Sequence, residues 1–488
     1  MHCTNSTQLW YNRSESFSIG GVVVNFDELY IMNPWWRDRV AIYADRNILQ
    51  YQQSKFKYDP KVLFSEIDLS IPGIYTLRGP RQVGKTTFSK LLILRLIESG
   101  VEPSRILFFT CDMVKDNSEL VDLVKLHSQT FASKEKMNYI FIDEITQVPN
   151  WQAAIKFLAD LGLLDNAVVL LTGSSAYDLK ISTERLPGRR GVGKNLIFLP
   201  ITFSEYLETL SVHLDKLDLP SILALGEDEL KIIAFKYSFI EAYFHKYALS
   251  GGFPKVIDEF EREGKCSDIT KAIYRDFVLG DAEKYMKSRE RMIEIFEKLP
   301  DIVGQRFSWQ SLSNDLGLII RSVNTIVEYF EFLAYSFIVS IVYFIDPSTK
   351  EIRRNKQKKV YPLDPMICSI ISETGKKEIA MPQIMELLML RQLMIPQDIE
   401  QTALNLTSGP YFWYSEKGNE IDFIVNKDGV LIPIEVKYQN KINKSDYIGM
   451  KRVFGKGIVV TKDTIGKDDN IILMPIWLLL ALLKQKEA

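Results

Sequence analysis

The stretch Gly79-Pro80-Arg81-Gln82-Val83-Gly84-Lys85-Thr86, with Thr87 directly behind it, carries glycines, a lysine and a hydroxyl at GxxxxGK[ST] spacing. Glycines let a backbone curl until successive N–H groups face phosphate oxygens, and a helix opening behind the loop adds its partial positive charge. In that arrangement Lys85 reaches the β- and γ-phosphates and the Thr86 hydroxyl ligates Mg²⁺. Residues 79–87 are therefore expected to bind nucleotide. Farther along, Tyr139-Ile-Phe-Ile-Asp143-Glu144 is an apolar run ending in two carboxylates. Asp143 would hold the Mg²⁺ shell with Thr86, and Glu144 would orient and deprotonate the attacking water. Ser174 and Ser175 stand at the tip of the apolar run 168–172. Either would sense the γ-phosphate or the water, or serve as a polar turn. Arg189 and Arg190 would supply transition-state charge, in cis or to a neighbouring chain, or simply lie on the surface.

These groups need a scaffold, and the sequence offers one. The phosphate loop follows an apolar run and opens a helical one (87–97), which is the context its chemistry requires. Short β-rich runs at 73–77, 106–110, 139–142, 168–172 and 196–199 alternate with helical segments, which predicts a parallel sheet. The run 106–110 falls between the loop and the paired carboxylates. An inserted strand, with a glutamate after the aspartate, marks the branch of P-loop proteins that hydrolyse ATP with their own glutamate. ATP is expected rather than GTP, since no guanine-reading NKxD signature accompanies these motifs. A second glycine-rich segment, 188–195, ends in Asn195 and leads into a strand, so it is excluded as a phosphate loop.

Of 488 residues, 46% are hydrophobic and 25% charged, which excludes a collagen-like, disordered or disulfide-framework chain. Sixty basic residues against 62 acidic ones exclude a uniformly basic nucleic-acid binder and leave room only for a local patch such as the run 350–359. Cys3, Cys111, Cys266 and Cys368 form no CxxC pair and predict reduced thiols and no zinc site. The apolar runs 332–345 and 471–483 fall short of the roughly 18–20 residues of a membrane span. With a polar N-terminus lacking an apolar h-region, the expectation is a soluble, cytoplasmic protein without a membrane partner.

The strings LRGPRQVGKTT, YIFIDEI, LLTGSS, LPGR and LPITFSEYL, in that order, resemble the predicted AAA-superfamily ATPases of archaea and bacteria. YALSGGFPKVI, KKVYPLDP and NEIDFIV…LIPIEVK are similar to the accessory domain of unknown function fused to those ATPases, so the resemblance covers residues 35–485. It implies an ATP-binding domain, a winged-helix segment and a C-terminal restriction-endonuclease-like core.

Within that core, residues 420–425 lead through Asn426-Lys-Asp-Gly429 into the run 430–437, a hairpin signal. Alternation puts Glu435 and Lys437 on one strand face, with Asp422 at the start of the partner strand. Two carboxylates and a lysine there form the D…ExK constellation of PD-(D/E)xK nucleases, in which the acids hold Mg²⁺ and the lysine steers water. The other reading is a folded relic with a solvated polar face. Glu386, shortly after a proline, would complete the set if it faces the hairpin.

Residues 307–317 and 321–333 read as helix, turn, helix, with Val323, Ile326, Val327 and Phe330 as the buried stripe of the second. This winged helix and the basic run 350–359 would contact DNA, or the helices would serve as packing for the ATPase. The expected fold class is α/β: a P-loop NTPase of the AAA/ASCE type, a helical connector, a winged helix and a PD-(D/E)xK-like domain. The expected segments are a lead-in (1–60), the ATPase (61–205), the connector (206–300), the winged helix (301–365) and the nuclease-like domain (366–488). ATP and Mg²⁺ are the expected cofactors. DNA, a protein partner and further copies of the chain are the candidate partners.

Overall fold

The computed structural model describes residues 18–19, 22–23, 26–174, 188–286, 288–315, 322–394 and 409–484. Cys3, Ser175, Leu186-Pro187 of the LPGR string, and Gly317 and Arg321 of the expected helix-turn-helix lie outside the described residues.

The first layer is a five-stranded parallel sheet built from β1 (Gly73–Arg78), β2 (Ile106–Thr110), β3 (Asn138–Asp143), β4 (Ala167–Gly173) and β5 (Asn195–Ile197). Helices α1 (Lys85–Glu98), α2 (Asn117–Thr130) and α3 (Trp151–Asp160) cross between strands. The strand order is β2-β3-β4-β1-β5. β1, β3 and β4 are buried along their full length because helices cover both faces, which is why they read as unbroken apolar runs rather than alternating ones. The order puts the C-terminal ends of β1, β3 and β4 side by side. The phosphate loop, the two carboxylates and the serine therefore meet at one sheet edge.

The lead-in closes the exposed edge of β2. Asn33, fully buried, donates to the Phe108 carbonyl at 2.8 Å and accepts from the Phe108 N–H at 2.7 Å, imitating a neighbouring strand. Trp35 and Trp36 both donate indole N–H groups to the Ile106 carbonyl. An edge strand left open is a template for aggregation, and one amide side chain with two indoles removes that hazard here.

Beyond the sheet the chain runs through α4 (Ile240–Ser250), α5 (Asp268–Met286), α6 (Arg289–Ile302), α7 (Trp309–Asp315) and α8 (Val323–Tyr335). The hairpin β6 (Val339–Ile345) and β7 (Ile352–Pro362) leads to α9 (Pro365–Gly375) and α10 (Met381–Leu393). Then follow β8 (Tyr411–Tyr414), β9 (Glu420–Lys427), β10 (Val430–Lys437), α11 (Ile448–Phe454), β11 (Gly457–Thr461), β12 (Gly466–Asp468), β13 (Ile471–Pro475) and α12 (Ile476–Leu482). All eight of these strands join one sheet in the order β12-β13-β11-β10-β9-β8-β6-β7. The hairpin β6–β7 is thus no free wing: β6 pairs in parallel with β8, and one sheet crosses the boundary expected at 365. β7 also bridges back to the segment after α6, through Val303↔Val360 and Phe307↔Lys358. The β9–β10 turn forms as the sequence predicts, with Lys427 opposite Val430 and positive φ at both Asp428 and Gly429, the mirror-image turn that Asp-Gly favours.

A single carboxylate ties the two layers together. Gly251 ends α4 at φ 72° and ψ −162°, a conformation essentially reserved for glycine. Its neighbour Gly252 donates its N–H to Asp364 Oδ2 at 2.7 Å, while Asp364 Oδ1 caps α9 through the Met366 N–H at 2.8 Å. The Gly252 carbonyl accepts from the Ile201 N–H, the Ile201 carbonyl accepts from Tyr247, and Arg391 Nε donates to the Pro200 carbonyl. The strings LPITF, SGGFP and YPLDP, separate in sequence, are one buried joint.

No described helix is long and apolar enough to cross a membrane.

Candidate nucleotide site and C-terminal carboxylate cluster

The phosphate loop takes its shape from two left-handed residues, Gln82 at φ 64° and Gly84 at φ 112°. Gly79 is required for a different reason. A Cβ at that position would overlap the Phe198 carbonyl oxygen, where the chain leaving β5 crosses beside the loop. Lys85, the first residue of α1, is buried and donates to the Gly79 and Pro80 carbonyls at 2.9 Å each, folding back over the loop. Its Nζ also lies 3.9 Å from Glu144 Oε1. The Thr86 hydroxyl donates to Asp143 Oδ2 at 2.7 Å, and Thr172 on β4 donates to the other oxygen. Burial pushes the Asp143 carboxyl above its ordinary value, and the two hydroxyl bonds pull it back only in part.

Glu144 adopts a left-handed backbone at φ 52°, a turn that swings its side chain off the end of β3. Its amide donates to Thr172 Oγ1, and its Oε2 accepts from the Ser174 N–H at 3.2 Å. Ser174 therefore does meet the glutamate, but through main chain. Arg189 donates Nε to Asp160 Oδ1 at 2.6 Å at the end of α3, and Arg190 pairs with the Asn195 side chain. Within one chain these arginines are engaged beside the sheet. The structure thus brings together Lys85, Thr86, Asp143, Glu144 and Ser174, and leaves Arg189 outside that group.

Two contacts escaped the sequence. Arg78, the last residue of β1, is completely buried, stacks 5.3 Å over the Trp151 ring and lies so close to Gly173 that any Cβ there would overlap it. Tyr274 on α5 reaches the Gln82 carbonyl at 3.5 Å, linking the loop to the helices beyond the sheet. Asn443-Lys444-Ser445-Asp446 spells NKxD, but it forms a capping turn before α11 and belongs to the C-terminal sheet. It reads no base at the loop.

The C-terminal carboxylates also converge. Asp422 on β9 accepts from the Val436 N–H at 2.9 Å, and its own N–H donates to Glu435 Oε2 at 3.1 Å. Glu435 and Lys437 share a face of β10, as alternation requires, and pair at 2.6 Å. Glu386 on α10 accepts from the Tyr361 hydroxyl at 2.7 Å. Burial first, then the Asp422 charge, pushes Glu386 and Glu435 each up to about 8. Burial works in the same direction on Asp422, but the Lys359 and Lys437 ammonium groups outweigh it and hold that carboxyl below its ordinary value.

Lys359 corrects an expectation. The basic run was expected either to contact DNA or to form a solvated loop, yet its last two lysines face inward. Lys359 Nζ lies 2.9 Å from Asp422 Oδ1 and 2.5 Å from Glu420 Oε1, with its side chain 1% exposed. Lys358, on the opposite face of β7, sits 4.7 Å over the Trp309 ring, and burial lowers its pKa to about 8. The strand's pleat sends adjacent side chains to opposite faces, and at this end of β7 both faces are covered. Lys350, Arg354 and Lys356 remain exposed, while Arg353 is half-buried beside Glu351. Among the described residues no group of three or more His, Cys, Asp or Glu is arranged to hold a metal ion.

Residues 72–207 match the family described as "AAA domain". The match spans the five-stranded sheet and its loop, so this part of the chain is similar to AAA-type P-loop ATPase domains. Residues 241–378 and 384–479 match two domains of unknown function, DUF8612 and DUF4143. Two relatives come from Methanocaldococcus jannaschii. Uncharacterized protein MJ1637 is 26% identical over 93% of this chain and 94% of its own length, and uncharacterized protein MJ1544 is 24% identical over 86% and 90%. Among solved structures, the Aeropyrum pernix Orc1 protein in complex with DNA aligns at 14% identity over 69% of this chain and 96% of that one, with a TM-score of 0.27. A single-substitution variant of Thermotoga maritima RuvB aligns at 15% over 65% and 89%, with a TM-score of 0.24. Scores of that size do not superpose the whole chain on either protein.

Proposed function

We propose that the chain is an ATP-driven switch in which residues 79–87 bind MgATP and Glu144 activates the attacking water. The observation that carries this reading is the Lys85–Thr86–Asp143–Glu144 group at one edge of the parallel sheet. Thr86 Oγ1 and Asp143 Oδ2, 2.7 Å apart, suit joint placement at a Mg²⁺ shell, so the residues present fit that ion. Held there by Thr86 and Asp143, Mg²⁺ would supply charge neutralisation to the phosphates. The protein's own part is positional. Loop N–H groups orient the phosphates, and Lys85 exchanges the Gly79 and Pro80 carbonyls for phosphate oxygens. That exchange takes Lys85 from Glu144, leaving the carboxylate held by the Ser174 N–H and available to accept a proton from water.

Nucleotide state would travel from the loop through Tyr274 and α5, and from β5 through Ile201 to the Gly252–Asp364 joint. The order α6, bridge at 303–307, α7, α8, β6–β7 resembles that of a winged helix, and α10, β8, β9, β10, α11, β11 resembles that of a nuclease-like core. These orders support the proposed modules, with DNA as the candidate ligand of the first. A second reading is favoured by Lys359 inside the carboxylate cluster: a non-cleaving regulator whose C-terminal module binds a protein partner.

Glu144→Gln tests the first reading. It should abolish Mg²⁺-dependent ATP turnover, a loss of about 100-fold or more for a general base, while binding of a fluorescent ATP analogue persists. Wild-type protein that binds ATP without hydrolysing it refutes the enzyme assignment. Stimulation of turnover by DNA that declines steeply with salt supports the DNA-directed module.

A further inference from the structure

We propose that the C-terminal carboxylate cluster carries its own cation, with the Lys359 ammonium standing where a nuclease core would hold a divalent metal. The cluster is then a metal-independent lock that fastens hairpin β6–β7 to the C-terminal sheet. This inference rests on the nuclease-like reading of the fold and is independent of ATP hydrolysis.

A metal shared by the D…ExK carboxylates needs open oxygens and room for close coordination at about 2.0–2.6 Å. Neither is offered. One oxygen of Asp422 and one of Glu420 grip Lys359 Nζ, at 2.9 and 2.5 Å. The second Asp422 oxygen accepts the Val436 N–H, and the second Glu420 oxygen accepts from Arg306 Nε at 2.8 Å. Glu435 is likewise committed, with Lys437 on Oε1 and the Asp422 N–H on Oε2. The Phe412 ring faces the same ammonium at 5.9 Å and adds a cation–π contact to it. The buried Asp422 carboxylate demands a counter-charge, and here the chain supplies it from a strand 63 residues away in sequence.

The position of Lys359 on β7 gives the lock its mechanical meaning. The same strand bridges to residues 303 and 307 and holds Lys358 over Trp309. Releasing Lys359 would therefore loosen the α6–α8 helices from the C-terminal sheet as well as unmasking the acids. Lys359→Met, which keeps the stem and removes the charge, should convert the lock into a metal site.

The experiment counts Mn²⁺ bound to the full chain without nucleotide, by equilibrium dialysis and electron paramagnetic resonance, in four proteins: wild type, Asp422→Asn, Lys359→Met and the double variant. The expected result is equal Mn²⁺ stoichiometry in wild type and Asp422→Asn, one further Mn²⁺ per chain in Lys359→Met, and loss of that ion in the double variant. If Lys359→Met does not fold, the double variant should restore folding by removing the stranded carboxylate. Two results overturn the proposal. One is a wild-type Mn²⁺ ion lost in Asp422→Asn, or Mg²⁺-dependent DNA cleavage lost in that variant. The other is a folded Lys359→Met that gains no ion, or a double variant that stays unfolded. ATP turnover, read separately on the same proteins, reports on the P-loop reading and not on this one.

Discussion

The joint at Gly251, Gly252 and Asp364 permits a quantitative test, because its two features share one set of contacts. Asp364→Ala removes the acceptor of two backbone N–H groups, Gly252 and Met366, in a place where the side chain is 2% exposed. Each stranded donor costs about 1–3 kcal/mol, so the variant should lose ~4 kcal/mol. Gly251→Ala acts twice. It forces a side chain onto a backbone at φ 72°, worth about 1–3 kcal/mol, and its Cβ overlaps Asp364 Oδ1, pushing the carboxylate off the same two donors. In the Asp364→Ala background only the backbone strain remains. The double variant should therefore fall short of the sum of the singles by about 2–4 kcal/mol, far outside the ~0.5 kcal/mol expected of independent sites. Urea unfolding gives the stabilities, and hydrogen exchange at the Gly252 and Met366 amides shows whether the loss is local. Additivity of the two variants, or unchanged protection of both amides in Asp364→Ala, refutes the joint.

The same carboxylate predicts a pH dependence. Burial raises Asp364 to about 7, against the pull of its two N–H bonds and Arg391. The folded chain then keeps a proton that the unfolded chain sheds near pH 4, so Asp364 lowers stability by about 1.4 kcal/mol per unit between about pH 4 and 7, beside falls of the same sign from Glu386 and Glu435 that run on to about pH 8. Asp364→Asn should take about 1.4 kcal/mol per unit off the slope between about pH 4 and 7 in urea midpoints measured across the range, and an unaltered slope would show that Asp364 does not contribute to it. At the β2 edge of the five-stranded sheet, Asn33→Ala should open that edge and leave the Phe108 N–H and carbonyl without their partner. A loss of about 2–4 kcal/mol is expected, together with faster concentration-dependent aggregation by light scattering. Equal aggregation rates would remove the edge-capping role.

How much of this was legible depends on how far apart the cooperating residues lie. The phosphate loop could be read because its chemistry is local: eight consecutive residues set both backbone shape and charge, and the apolar runs around it fix the sheet edge where Asp143 and Glu144 emerge. Alternation placed Glu435 and Lys437 on one face, and Asp-Gly gave the turn that aligns Asp422 with them. A glycine pair such as Gly251-Gly252 is an ordinary turn signal, but its purpose stayed hidden, since the carboxylate it approaches lies 112 residues on from Gly252. Arg78 was hidden for another reason: a charged residue ending an apolar strand reads as the point where the strand meets water, and only the packing of Gly173 and Trp151 encloses it.

The basic run is the instructive failure, because the missing step was physical rather than informational. Composition treats residues 350–359 as one charged surface. A strand cannot present itself that way, since adjacent residues face opposite sides. Lys358 and Lys359 are followed by Val-Tyr-Pro, an apolar stretch that must be covered, so the end of β7 is enclosed on both faces and neither lysine can stay in water. Each then needs a partner suited to a buried ammonium: an aromatic face for one and a carboxylate for the other. Trp309 and Asp422 are those partners. Parity and burial together thus divide the run into an exposed part that can attract phosphate and an inner pair that cannot, and they place the second lysine of that pair among the carboxylates of the C-terminal cluster.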